Sequence, residues 1–227
     1  MKKLILITGD KGGVGKSFVT RTVADLLLTE KIEFRAFDTD KTNATFYRFY
    51  PQYVECLNVA QPQDLDRLLT ELSESESPFL VDCAARTLES ILVWAQGIDF
   101  FNLKKDLGIE MTLVFVLGPE KDCVQILRDI VKQFGNHVRY IIVKNLSRGK
   151  SFEIYEQSSL KKTLLDEFHA QEIELPALLE KTALQVDQGN LTWSDAVSHS
   201  SLQIADRQRV KIYRNKMNEI FKERLAL

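Results

Sequence analysis

The run Lys11-Gly12-Gly13-Val14-Gly15-Lys16-Ser17 concentrates glycines, two lysines and a hydroxyl in a few residues. Glycines let successive backbone N–H groups turn inward around an anion, because no Cβ obstructs them. A helical pattern begins at Ser17, with Val19, Val23, Leu26 and Leu27 on one face. The loop therefore opens onto a helix N-terminus, whose partial positive charge favours phosphate. At that point Lys16 can reach β- and γ-phosphates, and the Ser17 hydroxyl can ligate Mg2+. Gly12, Gly13, Val14, Gly15 and Phe18 complete the expected nucleotide cradle. Lys11 is a second cation, able to neutralise charge developing on a transferring phosphoryl group.

Carboxylates close two other apolar runs. Phe34–Phe37 ends in Asp38-Thr39-Asp40, and alternation along an extended chain puts both aspartates on one side. Phe79-Leu80-Val81 ends in Asp82. Carboxylates near a phosphate loop can hold a Mg2+ shell and orient water: Ser17, Asp38 and Asp82 are the candidate Mg2+ ligands, and the Asp38/Asp40 pair could serve either task. Cys83 beside Asp82 reads as a small packed residue rather than a nucleophile. Guanine-specific proteins carry Asn-Lys-x-Asp after a late strand; here Lys144-Asn145-Leu146 follows 139–143 with no aspartate after it.

These residues need a scaffold that brings strand ends together. Strands are expected at Leu4–Thr8, Phe34–Phe37, Phe79–Val81, Met111–Leu117, Arg139–Val143 and Ile173–Leu175. Helices are expected from Ser17, at Asp64–Glu74, as a pair within Thr87–Leu107, at Lys121–Phe134 and at Phe152–His169. Thr192-Trp193-Ser194-Asp195 has capping-box spacing and opens a short helix. A long helix covers about 201–224, with Val210, Tyr213, Met217 and Ile220 as its apolar stripe. Strands alternating with helices imply an α/β fold, a mostly parallel sheet flanked by helices in three layers, with ligands beyond the strands' carboxyl ends.

The 227 residues suit one α/β domain over 1–227, with 44% hydrophobic and 27% charged residues. The three cysteines are widely spaced and the three histidines scattered, which speaks against a zinc site or a disulfide framework. The apolar part of the N-terminus is too short for a signal peptide, and no run reaches a membrane span. A cytoplasmic protein without membrane attachment is expected. The net charge of -2 hides a basic C-terminal segment, 205–227, with seven Lys/Arg against three acids.

The Lys11–Ser17 loop resembles the deviant Walker A of ParA, MinD and related P-loop ATPases. It departs from the plain Walker A because Asp10 replaces the first glycine. The resemblance implies an ATP-sandwich homodimer in which Lys11 acts in trans, Asp40 serves the attacking water and Asp82 is the Walker B carboxylate. Cys83-Ala84-Ala85 stands where that family often has prolines and glycine. By the same resemblance, Asn145 and Pro176 would contact adenine. Asp38-Thr-Asp-Lys-Thr-Asn-Ala-Thr-Phe46 is similar to a stretch of TraL/MobD-type proteins, which are ParA-like proteins of conjugative and mobilisable plasmids; Lys41 stands where proline is usual. Leu175–Leu178, Leu191–Ala196 and Arg207–Ile212 also match that group, whereas about 85–140 matches poorly.

The expected function is a Mg-ATP-dependent dimerisation switch with slow, partner-stimulated ATPase activity. Its role would lie in conjugal transfer, mobilisation or partition, with DNA, or a relaxosome or transfer protein, as partner through the basic Arg207–Arg224 ridge, where Arg207, Lys211, Arg214 and Lys222 share a face. Two other classes fit the loop: an ATP-dependent ligase or synthetase, and a nucleotide-dependent interaction module that does not hydrolyse. Widely spaced cysteines speak against an iron–sulfur relative.

Overall fold

The computed structural model describes residues 2–9, 12–85 and 87–227. Seven strands form one sheet in the order β3-β2-β4-β1-β5-β6-β7, and every pairing is parallel. They are β1 (Lys2–Gly9), β2 (Arg35–Asp38), β3 (Val54–Cys56), β4 (Phe79–Asp82), β5 (Ile109–Leu117), β6 (Arg139–Asn145) and β7 (Gln171–Leu175). A parallel sheet is covered on both faces, so its central strands read as continuous apolar runs. In β1, Leu4 and Leu6 enter one core and Ile5 and Ile7 the other.

The first core lies under α3 (Pro62–Glu74), α4 (Thr87–Gly97), α5 (Phe100–Asp106), α6 (Lys121–Phe134), α7 (Glu153–Glu156) and α8 (Ser159–Asp166). The second lies under α1 (Lys16–Thr29), α2 (Thr45–Phe49), α9 (Glu180–Gln188), α10 (Trp193–Ala196) and α11 (Ile204–Leu225). The neighbouring strands β1 and β4 thus send their chains to opposite faces, through α1 and α4. That divergence opens a crevice at their carboxyl ends, the position where open α/β sheets bind ligands.

Most expected elements appear, with three differences. The helix expected over Phe152–His169 is two helices, because Ser158 caps a new start: its hydroxyl accepts from the Lys161 N–H at 3.2 Å. The segments α2, β3 and α9 are additional. On α11 the buried stripe is Val210, Tyr213, Met217, Phe221 and Leu225, and Ile220 is only partly covered. Among the described residues no helix is long and apolar enough to cross a membrane.

Candidate nucleotide site

A cleft of about 560 Å³ opens at the carboxyl ends of β1, β2 and β4. Its floor is the glycine-rich loop, with Gly12, Gly13, Gly15, Lys16 and Ser17 lining it; its far wall carries Asp40 and Asp82. Val14 is buried beneath the loop. Gly15 sits at φ 110, and a Cβ there would lie 2.5 Å from the Asn145 amide nitrogen, so glycine is required on both counts. Lys11, expected to act in trans, lies outside the described residues.

Asp82 is 4% exposed at the end of β4. Its carboxylate accepts from Thr20 Oγ1 at 2.9 Å and from the Ser17 hydroxyl. Burial, and the nearby Asp38 charge, push its carboxyl up to about 7 against the pull of Ser17, Thr20 and Lys16. Cys83 is buried, and desolvation with the Asp82 charge raises its thiol well above the ordinary range. It is a packed side chain, not a nucleophile.

Asp38 and Asp40 part company. The strand ends at Asp38, so its alternation does not extend to Asp40. Asp38 turns behind the cleft wall: it accepts from the N–H of Asp40 at 2.9 Å, Phe46 at 2.9 Å and Tyr47 at 3.1 Å, and so anchors the start of α2. Desolvation raises its carboxyl despite these bonds. Asp40 faces the cleft and accepts from the Thr42 and Asn43 N–H groups and from the Asn43 amide, each at 3.0 Å. Partial burial lifts its carboxyl, but the Asn43 and Thr42 bonds and Lys16 outweigh it and hold it below the ordinary carboxylate range. Between the two aspartates, the Thr39 hydroxyl donates to the Asp82 carbonyl at 3.0 Å and accepts from the Ala84 N–H at 2.8 Å. This clasp ties the two strand ends together.

A second cleft, of about 220 Å³, shares Gly13, Gly15 and Phe18 with the first and continues to Asn145, Arg148 and Pro176. Pro176 thus stands where a base could lie. Asn145 is largely spent on the loop: its amide donates to the Val14 carbonyl at 2.7 Å, and its oxygen accepts from the Ser147 N–H at 3.1 Å and hydroxyl at 2.7 Å.

Sequence reasoning missed Thr20, Thr39, Arg21 and Arg148. Thr20 was within reach of it, since one helical turn beyond Lys16 places a hydroxyl on the same face. Arg21 gave no local signal. Its guanidinium is buried, 3.3 Å from the Phe49 ring centroid and 4.8 Å from that of Trp193, and it donates to the Leu191 carbonyl at 3.2 Å. Asp187 lies 3.8 Å away and also binds Arg48 at 3.0 Å. Burial lowers the guanidinium to about 10 against Tyr50 and Asp187. The stack joins α1 to α2 and α10.

The basic residues of α11 are divided. Arg214 binds Asp25 of α1 at 2.6 Å, Lys222 binds Glu30 just past the end of α1, and Arg207 donates to the Ser198 carbonyl at 3.4 Å. Lys211 is exposed and has no acidic partner among the described residues. The expected Arg207–Arg224 ridge is therefore partly paired within the chain.

No family model matches the chain. It is similar to protein TraL of Escherichia coli, 26% identical, and to protein MobD of Acidithiobacillus ferrooxidans, 22% identical, with 96% of each chain covered in both cases. Among solved structures it resembles the septum site-determining protein MinD of Pyrococcus horikoshii complexed with Mg-ADP. The TM-score is 0.56 at 15% identity, over 94% of this chain and 95% of that one. It also resembles a putative plasmid partition protein of Borrelia burgdorferi bound to AMPPNP. There the TM-score is 0.55 at 15% identity, over 99% and 100% of the two chains. The chain thus has the fold of MinD-type P-loop ATPases, and its sequence relatives are proteins named TraL and MobD.

Proposed function

We propose that the chain, as one unit over 1–227, is a Mg-ATP-binding and hydrolysing dimerisation switch acting in plasmid conjugal transfer, mobilisation or partition. The observation that carries this reading is the convergence of Lys16, Ser17, Asp40 and Asp82 on one cleft at the β1/β4 divergence. The nucleotide-bound state of the two structural neighbours and the TraL and MobD relatives support it.

The residues present fit a hard cation. Asp82 is buried and raised to about 7, the state of a carboxylate short of positive charge, and the Ser17 hydroxyl is already bound to it. One carboxylate and one hydroxyl beside a phosphate loop are a donor set that suits an ion completed by substrate phosphates. Ser17 and Asp82 would hold Mg2+, which when bound neutralises charge on the β- and γ-phosphate oxygens. Asp38, with its oxygens on backbone N–H groups, would support the site by fixing α2.

Loop N–H groups and Lys16 would hold the phosphates. Asp40, kept ionised below the ordinary range, would accept a hydrogen bond from the attacking water and orient it in line. The Thr39 clasp would hold Asp40 and the Ala84–Ala85 segment in one geometry. Phe18, Asn145 and Pro176 would border the adenine, and Lys11 would serve the partner's nucleotide across a homodimer. The chain's DNA or transfer-protein partner would meet the dimer, with Lys211 a free basic contact on α11.

The test is light scattering on wild type and Lys16→Ala, with ADP and with Mg2+ plus a non-hydrolysable ATP analogue. A monomer-to-dimer shift only for wild type with the analogue is expected. Nucleotide binding with one mass in every state rejects the switch.

A further inference from the structure

We propose that Arg148 is a nucleotide-contacting residue, holding the α-phosphate and ribose where the two clefts meet. The inference rests on the reading of the cleft as an ATP site. Gly13 has φ +80, and the space where a side chain would begin is taken by Arg148: a Cβ on Gly13 would lie 2.6 Å from Arg148 Nη2. The guanidinium therefore lies directly on the phosphate loop.

The backbone beneath Arg148 is fixed to that loop. The Arg148 N–H donates to the Asn145 carbonyl at 3.0 Å, and Asn145 in turn holds Val14 and Ser147. Behind it, Gly149 packs on the Pro119 ring, which a Cβ would approach to 2.9 Å. The charge itself is unspent. Among the described residues no carboxylate pairs with Arg148, whereas Lys144, four residues earlier, binds Glu156 at 2.9 Å and Glu174 at 3.3 Å. A guanidinium without an anion, seated on a loop built for anions, is completed by a phosphate oxygen, which its planar fork suits.

Position selects which phosphate. Lys16, Asp40 and Asp82 line the first cleft, where the γ-phosphate and metal would sit; Arg148 lines only the second, with Asn145 and Pro176. Its reach thus falls between base and β-phosphate. Contact there is common to di- and triphosphates and does not discriminate between them.

The test is titration of the full chain with fluorescent methylanthraniloyl-ADP and a non-hydrolysable ATP analogue in Mg2+, with Lys16→Ala as control. Arg148→Ala is expected to weaken both ligands equally, by about tenfold, as for a lost charge-assisted bond. Arg148→Lys recovers part of that loss, and the melting temperature of the nucleotide-free variant stays at the wild-type value because the side chain is exposed. Unchanged affinities overturn the proposal, as does a loss confined to the triphosphate analogue or a fall in hydrolysis alone. If wild type binds neither ligand, the ATP-site reading falls and takes this proposal with it. If wild type binds both and Lys16→Ala neither, that reading stands and the Arg148 result alone decides.

Discussion

At the carboxyl ends of β2 and β4, Asp38, Thr39 and Asp82 are buried and bonded to backbone or side-chain partners. Across the loop, beyond β6, Ser147 and Arg148 stand in solvent, and the buried Asn145 amide hydrogen-bonds their turn to the phosphate loop. Buried ionisable groups are costly unless bonded, so the first region must be assembled when the chain folds. Exposed groups carry no such demand, and their final geometry can be completed by a ligand. One cleft therefore joins an end built by folding to an end left for binding to finish.

The comparison sharpens most at Asp82. Its folded carboxyl is raised to about 7 from 3.8, so the folded chain holds the proton more tightly than the unfolded chain. The stability this gives is fully present below about pH 4 and lost as pH rises through about 7. Asp82→Asn removes that loss. Without nucleotide or metal, the variant should be more stable than wild type at pH 8 by something of order 4 kcal/mol, with the gap closing near pH 4. Thermal melts in a chelator at both pH values check this, and equal melting temperatures at pH 8 would refute it. Mg-nucleotide affinity of the same variant should fall sharply.

The side-chain hydrogen bond at the other end is broken by Asn145→Ala. It strands the buried Val14 carbonyl and frees the 145–148 turn, at a cost of about 2 kcal/mol. Affinity for ADP and ATP analogue should drop together. A variant that melts lower yet binds both normally would show that the turn is not part of the site.

Thr39→Val keeps the shape and removes the clasp, costing about 1–2 kcal/mol through the orphaned Ala84 N–H. ADP affinity should stay near wild type while turnover falls, and Thr39→Ser should restore it. Loss of binding instead of turnover would contradict the assignment of Thr39 to Asp40 and the 84–85 segment.

The same division decided what was legible in the sequence. Residues 12–18 are neighbours in the chain, and Asp40 and Asp82 follow apolar runs that become strands, so local pattern was enough to single out side chains that line one cleft. Helix α6 was found with both of its ends. Asp38 was placed on the wrong wall, because the α2 N–H groups that capture it belong to a five-residue helix too short to leave a periodic signal. Arg148 and Arg21 depend on segments that meet only in three dimensions: Gly13 lies against the β6 turn, and Phe49 and Trp193 come from distant parts of the chain. The basic face of α11 looked continuous because sequence does not show that Asp25 and Glu30 lie beside it.

Trp193 gives the cleft an optical voice. The chain has two tryptophans. Trp94 is partly exposed and donates to Asp66 at 2.8 Å, far along the chain from the loop. Trp193 is 1% exposed, meets the Phe18 ring edge-on at 4.8 Å and lies beside the Arg21 guanidinium. Phe18 borders both clefts and Arg21 borders the first, so a nucleotide bound there would change the surroundings of this one indole through both side chains. Emission from a Trp94→Phe protein should therefore report occupancy without any added dye, and its amplitude should fall in Phe18→Ala.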